Sequence, residues 1–403
     1  MEPWDLGNLG WRTGQFAVPF AEWNDRFRDT TRTFWLEDVD GSSDYGRTSL
    51  QEMATRLCGS ADLFATDPGR GATASINFVS CHDGFTLTDL TRYRDKHNEA
   101  NGENNNDGSS VNRSANFGVE GVTNEPEIIA AREQAAMNMT GMLLLSLGTP
   151  MMLAGDEFRN TQDGNNNAYC QDNDITWLKW DWMYSPHKTR EMRRLETVSR
   201  LVALRKSLDP SHHEDFFTRL TQLGLLKPSS RVQWFLPDGT TPMERDWFDL
   251  AVRSFTMRLL SNSEVDVCIV VNGVAEDRQF RLPSDSEWMP KWCSAEINGR
   301  RPGHGNHVEE YLNTEESIWT QHVPDASETV RKIVEAVSTQ KDKLFDNSQI
   351  LSASISPNST ATATELDDET SETEPHISDT DSAPGDGNVW TMPALSITLM
   401  KQV

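Results

Sequence analysis

Basic residues are scarce in this 403-residue chain, and over one long stretch they are missing altogether. Lys+Arg number 37 against 62 Asp+Glu, a formal net charge of −25. Nucleic acids and anionic membrane surfaces call for a positive face, so neither is expected as a partner. No Lys or Arg falls between Lys343 and Lys401, whereas ten acids from Asp346 to Asp386 do, so part of the acidity is local. Cysteine is sparse too. Cys58, Cys81, Cys170, Cys268 and Cys293 are odd in number and widely spaced, with no Cys-x-x-Cys pair. This indicates neither a zinc site nor a disulfide framework and fits a reducing compartment; an intracellular location, cytoplasm or plastid, is the expectation, with the compartment itself left open. No metal and no cofactor are expected. Long apolar runs are lacking as well: the most apolar segment, Met142 to Leu147, is far too short to span a bilayer, and no signal-peptide pattern is visible.

A chain of this length buries a large core and is expected to hold two domains. The first two hundred residues alternate strand-like and helix-like patterns, the texture of a parallel α/β arrangement. A strand tip at 20–28 runs into a helix at 29–35, a second helix is expected at 49–57, and 74–81 reads as a buried strand. Residues 127–147 place Ile128, Ala131, Ala135, Met139 and Met142 at helical spacing. Gly148 and Pro150 then stop that helix and start another strand, and 187–208 is a closing helix with Leu195, Val198 and Val202 on one stripe. After Asp209-Pro210 the texture changes to short alternating runs at 231–236, 249–260, 265–272, 279–282 and 394–400, an antiparallel β signature. A helix is expected at 329–337. Residues 352–386 are rich in Ser, Thr, Asp and Glu and lack aromatics, so they cannot bury enough apolar area to offset their ordering entropy and are expected to be disordered.

The strand count poses a problem. About three barrel-type strands precede the β region, whereas a closed (β/α)8 barrel needs eight and about 250 residues. Either the sheet is open or the chain is the back half of something larger.

Two segments carry the chemistry. The apolar run from Ile76 delivers His82-Asp83 to its C-terminal tip and opens into the asparagine-dense loop 97–107. A second apolar run from Pro150 ends at Asp156-Glu157 and opens into the polar loop 164–173. Acids and amides at the same end of neighbouring strands suit a neutral, hydroxyl-rich ligand, because amides offer both donors and acceptors. Asn104 to Asn106 and Asn165 to Asn167 are equally good turn formers. Trp4, Trp23, Phe85 and Tyr169 are candidates for stacking on such a ligand, with core packing the ordinary alternative for each.

The runs His82-Asp83-Gly-Phe-Thr-Leu87, Lys96-His-Asn-Glu-Ala-Asn-Gly-Glu103, Leu153-Ala-Gly-Asp-Glu157 and Gly164-Asn-Asn-Asn-Ala-Tyr-Cys-Gln-Asp-Asn173 resemble the isoamylase and glycogen-debranching branch of the α-amylase superfamily. Glu2-Pro-Trp-Asp5 and Phe20-Ala-Glu-Trp-Asn-Asp-Arg26 resemble the same branch, and together these motifs span most of residues 1–182 in the family's order. The resemblance implies the C-terminal half of a (β/α)8 TIM barrel over 1–208, from the tip of its fifth strand through its eighth helix. An antiparallel β-sandwich over 209–403 would follow, with a disordered acidic insertion at about 345–387. It implies hydrolysis of α-1,6 branch linkages in glycogen or amylopectin with retention, the branched α-glucan being the partner. Glu2 would be the general acid/base and Asp83 the stabiliser of the oxocarbenium-like transition state. His82 would grip the sugar, and Trp4, Asp156, Asn166 and Tyr169 would bind substrate. Glycoside cleavage needs such a protonated carboxyl at the leaving oxygen and negative charge beside the developing cation.

One part of the family's pattern is missing. Its nucleophile is an Asp in an Arg-x-Asp context on the strand before the general acid, and here only Met1 precedes Glu2. The nucleophile and the first four strands are therefore expected to lie outside this chain, which by itself would be inactive and which accounts for the strand shortage. A non-catalytic, glucan-binding isoamylase-like subunit is the rival from another class, and the presence of both Glu2 and Asp83 argues against it. Another hydrolase or transferase of the superfamily is the rival within enzymes, and the Asn-rich loops fit debranching better. Homo- and hetero-oligomers are both left open.

Overall fold

A computed structural model of the chain describes residues 1–5, 10–40, 47–65, 70–187, 189–207, 232–260, 266–305, 309–310 and 388–402. The boundary expected near 209, the helix expected at 329–337 and the acidic insertion at about 345–387 lie outside the described residues.

The N-terminal part runs β1 (Glu22–Asn24), α1 (Asp25–Arg32), α2 (Leu50–Leu57), β2 (Ser75–Asn77), α3 (Pro126–Leu145), β3 (Thr149–Pro150) and α4 (Arg190–Ser207). Its strands form one parallel sheet in the order β1-β2-β3. Asn24 closes β1 and opens α1, because its Oδ1 accepts from the Phe27 backbone N–H at 2.9 Å. The helix therefore starts four residues earlier than expected, and it continues through a wide π-type turn, Thr33–Glu37. Ser49 caps α2 in the same way, accepting from Glu52 N at 3.2 Å. Pro126 occupies the first turn of α3, where its missing N–H has no helical partner to lose.

Only three residues of the expected strand 74–81 are paired. The neighbour β3 has just two residues and ends at Pro150, which has no N–H to continue the ladder. Beneath the strands, buried side chains supply the missing cross-links. Asn24 Nδ2 donates to Ser60 Oγ and Ser75 Oγ, each at 2.8 Å. Ser75 Oγ donates to Asn77 Oδ1 at 2.6 Å, and Asn77 Nδ2 donates to Ser146 Oγ and the Leu147 carbonyl, each at 3.0 Å. Polar groups this deep are costly unless partnered. Met1 adds a fourth passage: its ammonium donates to Ala21 O at 3.0 Å and its carbonyl accepts from Trp23 N at 2.9 Å. Since β2 fills one edge of β1, Met1 lies along the other. Beyond β3, Met152, Leu153, Leu195, Val198 and Val202 line an open groove of about 540 Å³ against α4.

The C-terminal part contains β4 (Val232–Phe235), β5 (Ser254–Leu259), β6 (Val267–Asn272), β7 (Arg278–Arg281), β8 (Trp288–Cys293), β9 (Gly303–His304), β10 (Val389–Met392) and β11 (Ser396–Gln402). Among the described residues the antiparallel sheets are β4-β5-β6-β11-β8 and β9-β10-β7, with a further short pairing of Arg300–Arg301 and Glu309–Glu310. The expected strand 249–260 begins only at Ser254, after a short helix, Glu244–Phe248. Strands β8, β9 and β10 carry no counterpart in the sequence reading. Alternation sorts the larger sheet's residues between two cores. Phe255, Met257, Ile269, Val271, Trp292, Ile397 and Leu399 join a cluster with Met139, Met142 and Leu143 of α3. Cys268, Val270, Trp288 and Met400 instead face Phe280, Trp390 and Met392 of the smaller sheet.

The larger sheet is thus buried on both faces, and one apolar cluster runs from α1 to β11. Gly141 allows the close approach of α3, since a Cβ there would come within 2.7 Å of Ile397 Cγ2 and 3.0 Å of the Trp292 ring. Gln134 Nε2 adds hydrogen bonds to the Ala394 and Leu395 carbonyls, each at 2.8 Å.

Candidate functional site

The chain leaves β2 at Asn77, passes through the buried Phe78 and Val79, and emerges at His82 and Asp83. Their side chains are 62% and 68% exposed, with His82 Nε2 3.6 Å from Asp83 Oδ2. Trp23, in the middle of β1, is the neighbour they share with the N-terminal segment. Its ring centroid lies 5.8 Å from His82, 5.5 Å from Phe78 and 6.4 Å from Trp4. Trp4 is half-buried and pairs with Trp11 in an isolated antiparallel bridge, and Glu2 stands exposed between it and the Met1 passage beside β1. The structure therefore gathers Trp4 and His82 about the Trp23 ring, with Asp83 beside His82 and Glu2 two residues before Trp4. Tyr169 is 79% exposed, on the loop after β3.

Asp156 and Asn166, expected to face a ligand, are placed differently. Asp156 is buried beneath the turn that carries His82 and Asp83. Its Oδ2 accepts a short hydrogen bond from Ser80 Oγ, and its Oδ1 accepts from Leu87 N at 3.0 Å. Burial pushes its pKa up to about 7, against the pull of those two donors. Phe85 is wholly buried and packs on Tyr93, 6.2 Å between centroids, so it is core rather than a stacking platform.

Asn166 is buried among other amides. Its Nδ2 donates to Ser109 O at 2.8 Å and Asn112 Oδ1 at 2.7 Å, while its Oδ1 accepts from Asn98 Nδ2 at 2.9 Å. Asn101, Asn165, Asn167 and Asp107 extend the network: Asn165 Nδ2 donates to Asn101 Oδ1 at 2.8 Å, and Asn167 Nδ2 to Asp107 Oδ2 at 2.9 Å. The loops 97–107 and 164–173 are zipped to each other by these bonds. Gly108, at φ +73°, makes the closure possible, because a Cβ there would sit 2.3 Å from Asn166 Oδ1. Asn104 and Asn105 hold left-handed backbone, φ 52° and 59°, as turn formers do.

Behind the turn lies a buried ion cluster that sequence reasoning missed. Arg194 of α4 donates to Glu133 Oε2 at 2.7 Å and to Thr88 Oγ1 at 3.0 Å, and Arg159 Nε donates to Glu133 Oε1 at 2.7 Å. Burial alone would push the Glu133 carboxyl up, but the two guanidiniums hold it down to about 2. The signal available was an acid within the apolar pattern of 127–147, where a charge needs a partner. Among the described residues no group of three His, Cys, Asp or Glu side chains is arranged to hold a metal ion, and no helix is long and apolar enough to cross a membrane.

No family model matches the chain. Among curated proteins it is similar to the glycogen operon protein GlgX homolog of Haemophilus influenzae, 39% identical over 296 residues, covering 72% of this chain and 40% of that protein. It is likewise similar to the glycogen debranching enzyme of Serratia proteamaculans, 42% identical over 294 residues, covering 72% of this chain and 39% of the relative. The chain thus spans about two fifths of the length of these relatives. Among solved structures, a type I pullulanase from Bacillus subtilis complexed with maltose aligns with a TM-score of 0.46 at 19% identity, over 72% of this chain and 35% of that one. Over 72% of its length, the chain is thus a homologue of proteins named as GlgX homologs and glycogen debranching enzymes.

Proposed function

We propose that this chain supplies the general acid/base and the transition-state stabiliser of an α-1,6 debranching glycoside hydrolase acting on branched α-glucans with retention. Glu2 protonates the glycosidic oxygen as the leaving chain departs, then takes a proton from the attacking water. Asp83 places negative charge beside the developing oxocarbenium ion, and His82 and Trp4 orient the sugar. The observation that supports this reading is that Trp4, two residues after Glu2, and His82, beside Asp83, pack on the same Trp23 ring.

The nucleophile comes from outside the sequence: no Arg-x-Asp occurs anywhere in residues 1–403. The same reading makes residues 1–208 the later half of a (β/α)8 barrel and 209–403 a C-terminal sandwich. Two features support it. Met1, β1, β2 and β3 lie side by side in sequence order, and β3 ends the sheet beside an open apolar groove.

The test is a chimera in which the matching stretch of the Haemophilus influenzae relative is replaced by this chain's residues. Reducing-end release from amylopectin is expected, and Glu2→Gln and Asp83→Asn should each lower it by about a thousandfold. A folded chimera that is inactive, or one indifferent to both substitutions, overturns the assignment.

A further inference from the structure

We propose that Asp156 is a positioning residue for His82 and Asp83, its single carboxylate holding both shoulders of the turn that presents them; this rests on the reading of His82-Asp83 as a glucan site. The two donors it accepts from, Ser80 Oγ and Leu87 N, stand two residues before His82 and four after Asp83. Each carboxylate oxygen takes one shoulder. At 1% exposure Asp156 does not reach a ligand bound over the turn, so any effect it has there passes through the turn itself.

The rest of the segment after β3 fastens the same stretch. Gly84 N donates to Asn166 O and Thr86 Oγ1 to Asn160 O, both at 3.0 Å, and Gln162 N donates to Asp89 Oδ2 at 2.8 Å. His82 and Asp83 themselves point into solvent, and their placement is set by what grips the chain on either side. Asp156 shares a small cavity with Val79, Leu87, Thr140, Leu143 and Met152. In that mostly apolar lining, removing Asp156 strips Ser80 Oγ and Leu87 N of the acceptor each now has, a loss that costs free energy. Support of this kind decides whether exposed groups on a loop hold a productive geometry.

The experiment compares wild type with Asp156→Ala, Ser80→Ala and Asp156→Asn in the full chain, by amide hydrogen exchange and by retardation in amylopectin affinity gels. In Asp156→Ala the amides of Gly84 and Leu87 should exchange about tenfold faster while those of α3 are unchanged. Glucan affinity should fall at least about fivefold, in line with a lost hydrogen bond. Ser80→Ala removes one grip of two and should show a smaller change in the same direction. Asp156→Asn retains both, its Nδ2 donating to Ser80 and its Oδ1 accepting from Leu87, and should match wild type within about twofold. Unchanged exchange over 82–87, an increase spread equally over α3, or unaltered affinity in a retarded protein overturns the positioning role. A wild-type chain that amylopectin does not retard overturns the glucan reading itself, whatever the exchange shows.

Discussion

Replacing Arg194 by leucine should leave Glu133 buried beside only one of its two guanidinium partners. Arg194 is fully buried, and it binds Glu133 Oε2 through both Nε and Nη2, at 3.1 and 2.7 Å. Breaking a buried pair by removing one partner costs about 3–5 kcal/mol, because the surviving charge is desolvated without compensation. At pH 7 urea unfolding followed by tryptophan fluorescence should therefore show a loss of about that size. The pH dependence is the sharper part.

In the folded chain Glu133 is held down to about 2 from an ordinary value of 4.5. A depressed pKa means that its stabilising contribution is present above about pH 4.5 and lost as pH falls through 2. Between pH 4.5 and pH 3 wild type should lose about 2 kcal/mol from this group, at 1.36 kcal/mol per pH unit. In Arg194→Leu the carboxyl is released toward or above its ordinary range and escapes that loss. The penalty should thus shrink by about 2 kcal/mol between pH 7 and pH 3. An equal penalty at both pH values would refute the claim that Arg194 acts by holding Glu133 ionised.

Two further predictions concern the loops and the thiols. Asn166→Ala removes the amide that joins Asn98, Ser109 and Asn112, and should cost about 1–3 kcal/mol; a Glu-specific protease should then cleave after Glu99 and Glu103 faster than in wild type, and unchanged cleavage would contradict the zipped-loop description. Burial pushes the Cys58 thiol up to about 12 and the Cys293 thiol up to about 11, and raises Cys268 as well. Iodoacetamide at pH 8 should therefore modify the exposed Cys170 first and reach the buried Cys268 and Cys293 only on unfolding, as peptide mass mapping will report.

Much of the N-terminal architecture is legible because local signals agree with it. Ser49 caps the helix its sequence announces, and Pro126 and Gly148 bracket the long apolar α3. What escaped reading has identifiable causes. Asn24 serves β1 and α1 at once, so the strand-like pattern at 20–28 runs past the true helix start. Strand β8 is hidden by Pro290, which cannot donate to a ladder; the pairing slips between Leu399 and Met400 opposite it. At the site, the exposed pair His82-Asp83 was readable from a strand tip. The roles of Asp156 and Asn166 were not, since composition cannot say whether an acid or amide points at a ligand or across to another loop. That depends on contacts between residues far apart in the chain, such as Ser80 with Asp156 and Asn98 with Asn166.

Whether Glu2 and Asp83 need a nucleophile from elsewhere is tested by reducing-end release from amylopectin by the purified 403-residue chain alone. Glu2 and Asp83 are both present and exposed, but a retaining hydrolase needs a third carboxylate as nucleophile. No release above a protein-free blank is expected, and steady debranching by this chain would contradict an incomplete catalytic set.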